Sequence, residues 1–204
     1  MPLLEAMASL GLSWMIPTNS PSTKSMSLYF PAAPWPVSLK LVSALGSVAL
    51  LAAGFAAYRA IPVPTGFIHQ FGLAVACVPI ALLAGSLGFI VRGYEVKVTD
   101  LYIERLFTST RIPLAGLSRV WLEPKVCKGS LRVFGNGGLF SFTGLYYNKK
   151  LGRYRLFATD FSHAVVLVLP QRVVVVTPAN PQTFIDHLKH RFPGVETNPL
   201  ARDG

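Results

Sequence analysis

The sequence predicts a two-helix transmembrane hairpin followed by a mainly β barrel or sandwich with one C-terminal α-helix. Three observations carry this expectation. Leu41 to Tyr58 and Phe71 to Val91 hold no charged side chain, and the Pro/Gly connector Ile61-Pro62-Val63-Pro64-Thr65-Gly66 separates them. After Arg92 apolar and polar residues alternate, and near residues 180–192 the spacing becomes helical. A helix rises about 1.5 Å per residue, so about 20 apolar residues cross the ~30 Å hydrocarbon core of a bilayer.

Composition agrees. Of 204 residues, 51% are hydrophobic, and the mean hydropathy of +0.46 is high for a water-soluble chain. The formal net charge is +10; of 19 Lys and Arg only Lys24, Lys40 and Arg59 precede Arg92, and of nine acidic residues only Glu5 does. The C-terminal part, about +8, is attracted to anionic headgroups. The competing explanation is that segments beside a membrane are basic because of how they insert. Cys77 falls in the second apolar segment and Cys127 beyond it, depths too different for a disulfide framework.

Residues 1–36 are expected to be disordered or weakly structured. Leu3 to Ile16 is weakly apolar, but Glu5 interrupts it and no basic region precedes it, unlike a secretory signal. Ser20 to Ser25 reads as a linker, and Met26 offers an alternative start, so residues 1–25 carry no functional expectation.

The hairpin is expected over 37–91, with helices at about 38–60 and 67–91. Lys40, Arg92 and Lys97 flank one side and only Arg59 the other. That bias puts both termini and the β domain on the cytoplasmic side of a bacterial inner membrane. Ala49, Ala53 and Ala57 recur four apart, as do Ala81 and Gly85 beside Ala84 and Gly88. Such faces let helices approach closely, within the hairpin or between chains, and the first is the expectation here. Pro79 should kink the second helix. No ionisable residue lies in mid-bilayer, which suits an anchor better than a transport pathway.

Beyond Arg92, Tyr94, Val96 and Val98 alternate with Glu95, Lys97 and Thr99, the period of a half-buried strand. Asp100 marks a turn, and Leu101 to Phe107 is the hairpin partner. Arg111 to Leu114 leads into Ser118 to Leu122. Strands follow at Leu131 to Phe134, Leu139 to Leu145, Tyr154 to Ala158, Ala164 to Leu169 and Arg172 to Val176, seven or eight in all. Asn180 should cap the closing helix with Pro181 in its first turn. Phe184, Ile185, Leu188 and Phe192 make its apolar stripe, and 194–204 reads as a flexible tail.

Certain pieces resemble a known family. They are Ile112-Pro113-Leu114, Arg132-Val133-Phe134-Gly135-Asn136-Gly137-Gly138, Gly144-Leu145-Tyr146-Tyr147, Gly152 to Tyr154, Ala158-Thr159-Asp160, and Val176-Thr177-Pro178-Ala179-Asn180-Pro181 ahead of Phe184. In these, Tyr94 to Leu188 resembles the bacterial pleckstrin-homology-like (PH) domains of small membrane-anchored proteins. The resemblance implies a seven-stranded barrel-like sandwich capped by a C-terminal helix, and no catalytic activity.

Candidate ligand-binding residues are the basic ones at two turns: Lys125, Lys128 and Arg132 around one, Lys149, Lys150, Arg153 and Arg155 around the other. If both turns share one end of the barrel they form a cationic mouth suited to phosphates; otherwise they are solvated surface. Arg153 and Arg155 should share one strand face, with Tyr154 and Leu156 on the other. Gly135-Asn136-Gly137-Gly138 lacks the ending of a nucleotide loop and reads as φ > 0 turns or close backbone approach. Asp160, Ser162 and His163 are too close in sequence for a catalytic triad and suit a turn. His187 and His190 lack a third metal ligand, and Cys127 lacks a partner base. Aromatics near the glycines read as core, not as a nucleic-acid platform. No catalytic residue, metal or cofactor is expected, and no nucleic acid partner. The expected function is a binding or scaffold module at the cytoplasmic membrane surface, engaging a protein partner. The alternative is recognition of anionic lipid headgroups or another phosphate-bearing ligand through the basic turns.

Overall fold

The computed structural model describes residues 27–61 and 66–198. Its first element is a strand, β1 (Leu28–Pro31), which pairs antiparallel with β2 (Val91–Val96), placing Phe30 opposite Tyr94. This corrects the expectation of a weakly structured segment through residue 36; residues 1–26 lie outside the described residues. Burial is the reason: Phe30 is 6% exposed and meets Phe184 edge-on at 5.0 Å. Beyond the strand, the Ala33 N–H donates to Thr177 O at 2.8 Å.

Two helices interrupt the sheet between β1 and β2: α1 (Val37–Arg59) and α2 (Phe67–Leu87), each long and apolar enough to cross a membrane. Because β1 and β2 are neighbours, the outer ends of both helices are held at the same place. α2 ends four residues before the expected Val91. Gly88 caps it, and Val91 is claimed by the domain core as the first residue of β2. Pro79 sits inside α2, and the helix runs on past it.

The helices meet through residues other than those expected. Gly54 and Ala76 are buried; a Cβ at Gly54 would stand 3.2 Å from the Ala76 carbonyl oxygen. Ala49, Ala53, Ala81 and Gly85 are exposed. The seam forms where glycine permits the closest approach, which turns the alanine face outward. Two serine hydroxyls bond back to their own helix: Ser47 to Ser43 O at 2.7 Å and Ser86 to Leu83 O at 2.6 Å.

The first sheet runs β1-β2-β3-β4, with β3 (Asp100–Arg105) and β4 (Ser109–Pro113). β4 is a strand where only a lead-in was expected, and it puts Ile112 beside Leu101 in the core. The second sheet contains β5 (Arg119–Leu122), β6 (Leu131–Gly137), β7 (Phe142–Asn148), β8 (Gly152–Ala158), β9 (Val165–Leu169) and β10 (Arg172–Val176). Its order is β5-β9-β10-β8-β7-β6, and β10 runs parallel to β8. Ten strands thus stand among the described residues, against the expected seven or eight.

One core fills the space between the sheets, with Tyr94, Leu101, Ile103, Phe157, Val174 and Phe184 among its members. α3 (Pro181–Arg191) closes it through Phe184, Ile185 and Leu188, the expected stripe. Asn180 precedes α3, yet its side chain makes no capping bond; its carbonyl accepts the Phe184 N–H at 3.2 Å. The Tyr94 hydroxyl joins the sheets. It donates to Phe157 O at 2.7 Å and accepts the Thr177 N–H at 3.0 Å. A second cluster, with Trp121, Val126, Tyr146, Tyr154 and Leu156, lies on the other face of the six-stranded sheet. The start of the expected flexible tail is part of the fold. Val195 is buried, the Val120 N–H donates to Glu196 O at 2.8 Å, and Glu196 pairs with Arg119 at 2.9 Å.

Candidate functional site

The turn between β6 and β7 is where the domain meets the helices. Glycines let β6 and β7 come together before it: Gly135 (φ 115) faces Gly144 (φ 144), and a Cβ on Gly135 would collide with the Thr143 carbonyl oxygen. Within the turn the Asn136 side chain bonds both Leu139 N–H and Leu139 O, and the Gly138 N–H donates to Ser141 O at 3.1 Å. The turn then grips both helices. Ser43 of α1 accepts the Phe140 N–H, and the Ser141 hydroxyl donates at 2.6 Å to Phe89 O, just past α2. A Cβ at Gly46 would stand 3.1 Å from Leu139.

The two basic turns lie together at the far end of β7. The Asn148 amide donates to Val126 O at 2.7 Å and to the Ser130 hydroxyl at 3.0 Å, while its oxygen accepts the N–H groups of Lys150 and Leu151. The Tyr154 hydroxyl adds a 2.7 Å bond to Ser130. Lys125, Lys128, Lys149 and Lys150 are therefore exposed at one end of the sheet. Seven strand residues rise about 3.3 Å each, so this end is about 20 Å of strand from the turn on α1.

The arginines divide by strand parity, which corrects the idea of one cationic mouth holding all seven residues. Arg132 stands opposite Tyr146, on the face of the second cluster, and lines a depression of about 270 Å³ with Cys127, Tyr146 and Phe161. Tyr154 and Leu156 are buried in that cluster too, whereas Arg153 and Arg155 are exposed on the opposite face. There they line a hollow of about 310 Å³ with Leu145, Gln171 and Arg172.

Two arginines absent from the sequence expectation join this face. Arg172 arrives because β10 runs parallel to β8, with Val173 beside Tyr154. Arg105, at the end of β3, arrives across the sandwich. Its guanidinium lies 5.3 Å from the Phe157 ring centre, Arg155 lies 5.5 Å from the same ring, and Arg105 also lies 5.8 Å from Phe89. Burial first, and then the Arg155 charge, lower the Arg105 pKa. Among the described residues neither guanidinium has a carboxylate partner, and Arg105 Nε has no hydrogen-bond partner. Two cations sharing one aromatic ring without a counter-charge suit an anion. In sequence, only the alternation around Tyr154 pointed here; the Arg105 contact is made by packing.

Asp160, Ser162 and His163 do touch. Ser162 Oγ is 2.7 Å from Asp160 Oδ2 and 3.0 Å from His163 Nδ1, and that same Nδ1 is 3.2 Å from Asp160 Oδ2. A triad needs the acid on one imidazole nitrogen and the nucleophile on the other. Here both crowd one nitrogen, so the group is a turn clip. Burial raises the Asp160 pKa, but the Ser162 N–H and hydroxyl and His163 outweigh it and hold the carboxyl below its usual value. Burial pushes the Cys127 thiol up to about 11, the reverse of what a nucleophile needs. Among the described residues no three His, Cys, Asp or Glu gather as metal ligands.

No curated protein and no solved structure matches the chain. Residues 92–192 match the family model of the bacterial PH domain, a span that runs from the second residue of β2 to the residue after α3 and leaves out β1.

Proposed function

We propose that this protein is a non-catalytic binding module fixed to a membrane surface. α1 and α2 cross the bacterial inner membrane, and the PH-like sandwich faces the cytoplasm, where it gathers a protein partner at the bilayer. The observation that carries this reading is the gripped turn. Ser43 and the Phe89 carbonyl hold Phe140 and Ser141, so the sandwich is braced against both helices and does not swing on a linker. A scaffold that presents a fixed face needs such bracing.

Photo-crosslinkers at Lys125 and Lys189, both exposed, in native membranes, followed by identification of protein and lipid adducts, test the reading. Specific protein adducts support it. Lipid adducts alone favour the second reading, and a chain recovered in the soluble fraction overturns both.

The second reading is recognition of an anionic headgroup or another phosphate-bearing ligand through the basic turns. It is favoured by Asn148, which ties Lys149 and Lys150 to the segment bearing Lys125 and Lys128. Salt should weaken that binding, and Lys149→Glu with Lys150→Glu should abolish it. Equal binding by the double variant removes these turns from consideration.

A further inference from the structure

We infer that the part of the core-side face of the six-stranded sheet that the first sheet leaves uncovered, on β6, β7 and β8, lies on the bilayer leaflet from which the helices emerge, its arginines on lipid phosphates and its apolar side chains in the interface. This rests on the membrane-spanning reading of α1 and α2.

Cross-strand register builds the surface. Phe134, Leu145 and Arg155 stand side by side across β6, β7 and β8, and Leu131, Tyr147 and Arg153 form a second row. Phe134 is 78% exposed and Leu131 70%. A water-facing sheet surface hides its apolar residues on the other side. Here large apolar groups and arginines share one exposed face, the mixture that suits an interface of acyl chain and headgroup.

Contacts with the helices set its level. At one side, Phe107, 71% exposed, packs beside Gly88 at the end of α2, and Arg105 two residues earlier joins Arg155 over Phe157. At the other side, β6 runs into the turn that touches α1 at Ser43 and Gly46. The row from Phe107 through Arg105, Arg155 and Leu145 to Phe134 is thus bracketed by both helices at the depth where they leave the hydrocarbon. β6 is also an edge strand of its sheet, and hydrated headgroups can satisfy the outward backbone groups of an edge. Lipid is the occupant that continuity and positive charge select.

The test uses the full chain with Cys77→Ala and Cys127→Ala, reconstituted in phosphatidylcholine with phosphatidylglycerol. Single spin labels are placed at Phe134→Cys, Ala53→Cys and Lys125→Cys. Labels at 53 and 134 are expected to meet oxygen and to be shielded from a water-soluble nickel reagent, and the label at 125 the reverse. A water-exposed label at 53 overturns the membrane-spanning reading. A label at 53 in lipid with one at 134 in water overturns this inference alone. So does a label at 134 that is shielded in native membranes but not in pure lipid, because a protein then covers the face. Arg105→Gln and Arg155→Gln should each lower the phosphatidylglycerol retained on purification about fivefold. Unchanged retention overturns the phosphate role.

Discussion

The Ser43 hydroxyl, on the first apolar helix, accepts the backbone N–H of Phe140 at 2.9 Å, although 97 residues of chain separate them. Ser43 is 3% exposed, and the same hydroxyl stands 3.4 Å from Gly138 O. Phe140 has φ 69, a left-handed conformation that costs a residue with a side chain about 1–2 kcal/mol. The bond to Ser43 helps offset that strain, so helix and turn depend on each other. Ser43→Ala is expected to cost about 1–2 kcal/mol and to speed amide exchange at Phe140 and Ser141. Phe140→Gly relieves the strain and should reduce the cost of Ser43→Ala. Additive effects in the double-variant cycle contradict this coupling.

β1 belongs to the domain although it precedes the hairpin. Phe30 packs on Phe184, and Tyr29 donates to Arg92 O at 3.1 Å. A fragment of residues 92–192 therefore leaves the edge of β2 bare and Phe184 uncovered. It is expected to melt lower and to aggregate more readily than the same fragment with residues 27–33 joined by a flexible linker. In the full chain, Phe30→Ala should cost about 3–5 kcal/mol, read by chemical denaturation in detergent. Equal melting of the two fragments contradicts the role of β1.

Tyr94 makes stability fall in alkali. Burial pushes its hydroxyl from 10.0 up to about 12, against the bonding to Thr177. The folded state then holds its proton where the unfolded state has released it. Stability from this group is complete below pH 10 and is lost as pH rises toward 12, by about 2–3 kcal/mol. Denaturation midpoints across that range should decline in the parent and much less in Tyr94→Phe. Parallel declines refute the assignment.

Cys127 is expected to react slowly. Burial carries its pKa from 9.0 up to about 11, so the thiolate fraction near neutral pH falls about a hundredfold. Alkylation of Cys127 in a Cys77→Ala chain, followed by mass spectrometry, should be slow when folded and approach the rate of a free thiol in denaturant. Rapid labelling of the folded chain rules out the buried setting.

Local periodicity carried much of this fold in the sequence. Tyr94 and Val96 alternate inward as strand residues do, and Phe184, Ile185 and Leu188 bury one helix face. What escaped it depends on contacts between distant residues. β1 is four residues long, begins just after a linker-like stretch and is followed by prolines, so only its pairing with β2 marks it as a strand. The alanine repeats point to one helix seam, but the seam forms at Gly54, where a glycine lets two backbones approach. The parallel pairing of β10 with β8 brings Arg172 beside Arg153, and sandwich closure brings Arg105 to Arg155. Neither pairing leaves a trace in local spacing. The lysine turns are legible because each is a local cluster; what binds them together is Asn148, a residue with no charge to draw attention.

The proposed topology has α1 and α2 cross the membrane and hold the sandwich on its cytoplasmic side. Its most direct measurement is labelling by a membrane-impermeant maleimide in spheroplasts, in a background of Cys77→Ala and Cys127→Ala. Gly66→Cys, at the far end of the hairpin, is expected to react in intact spheroplasts, and Lys150→Cys only after the membrane is opened. Reaction of Lys150→Cys in intact spheroplasts, or of both positions from the same side, contradicts the claim.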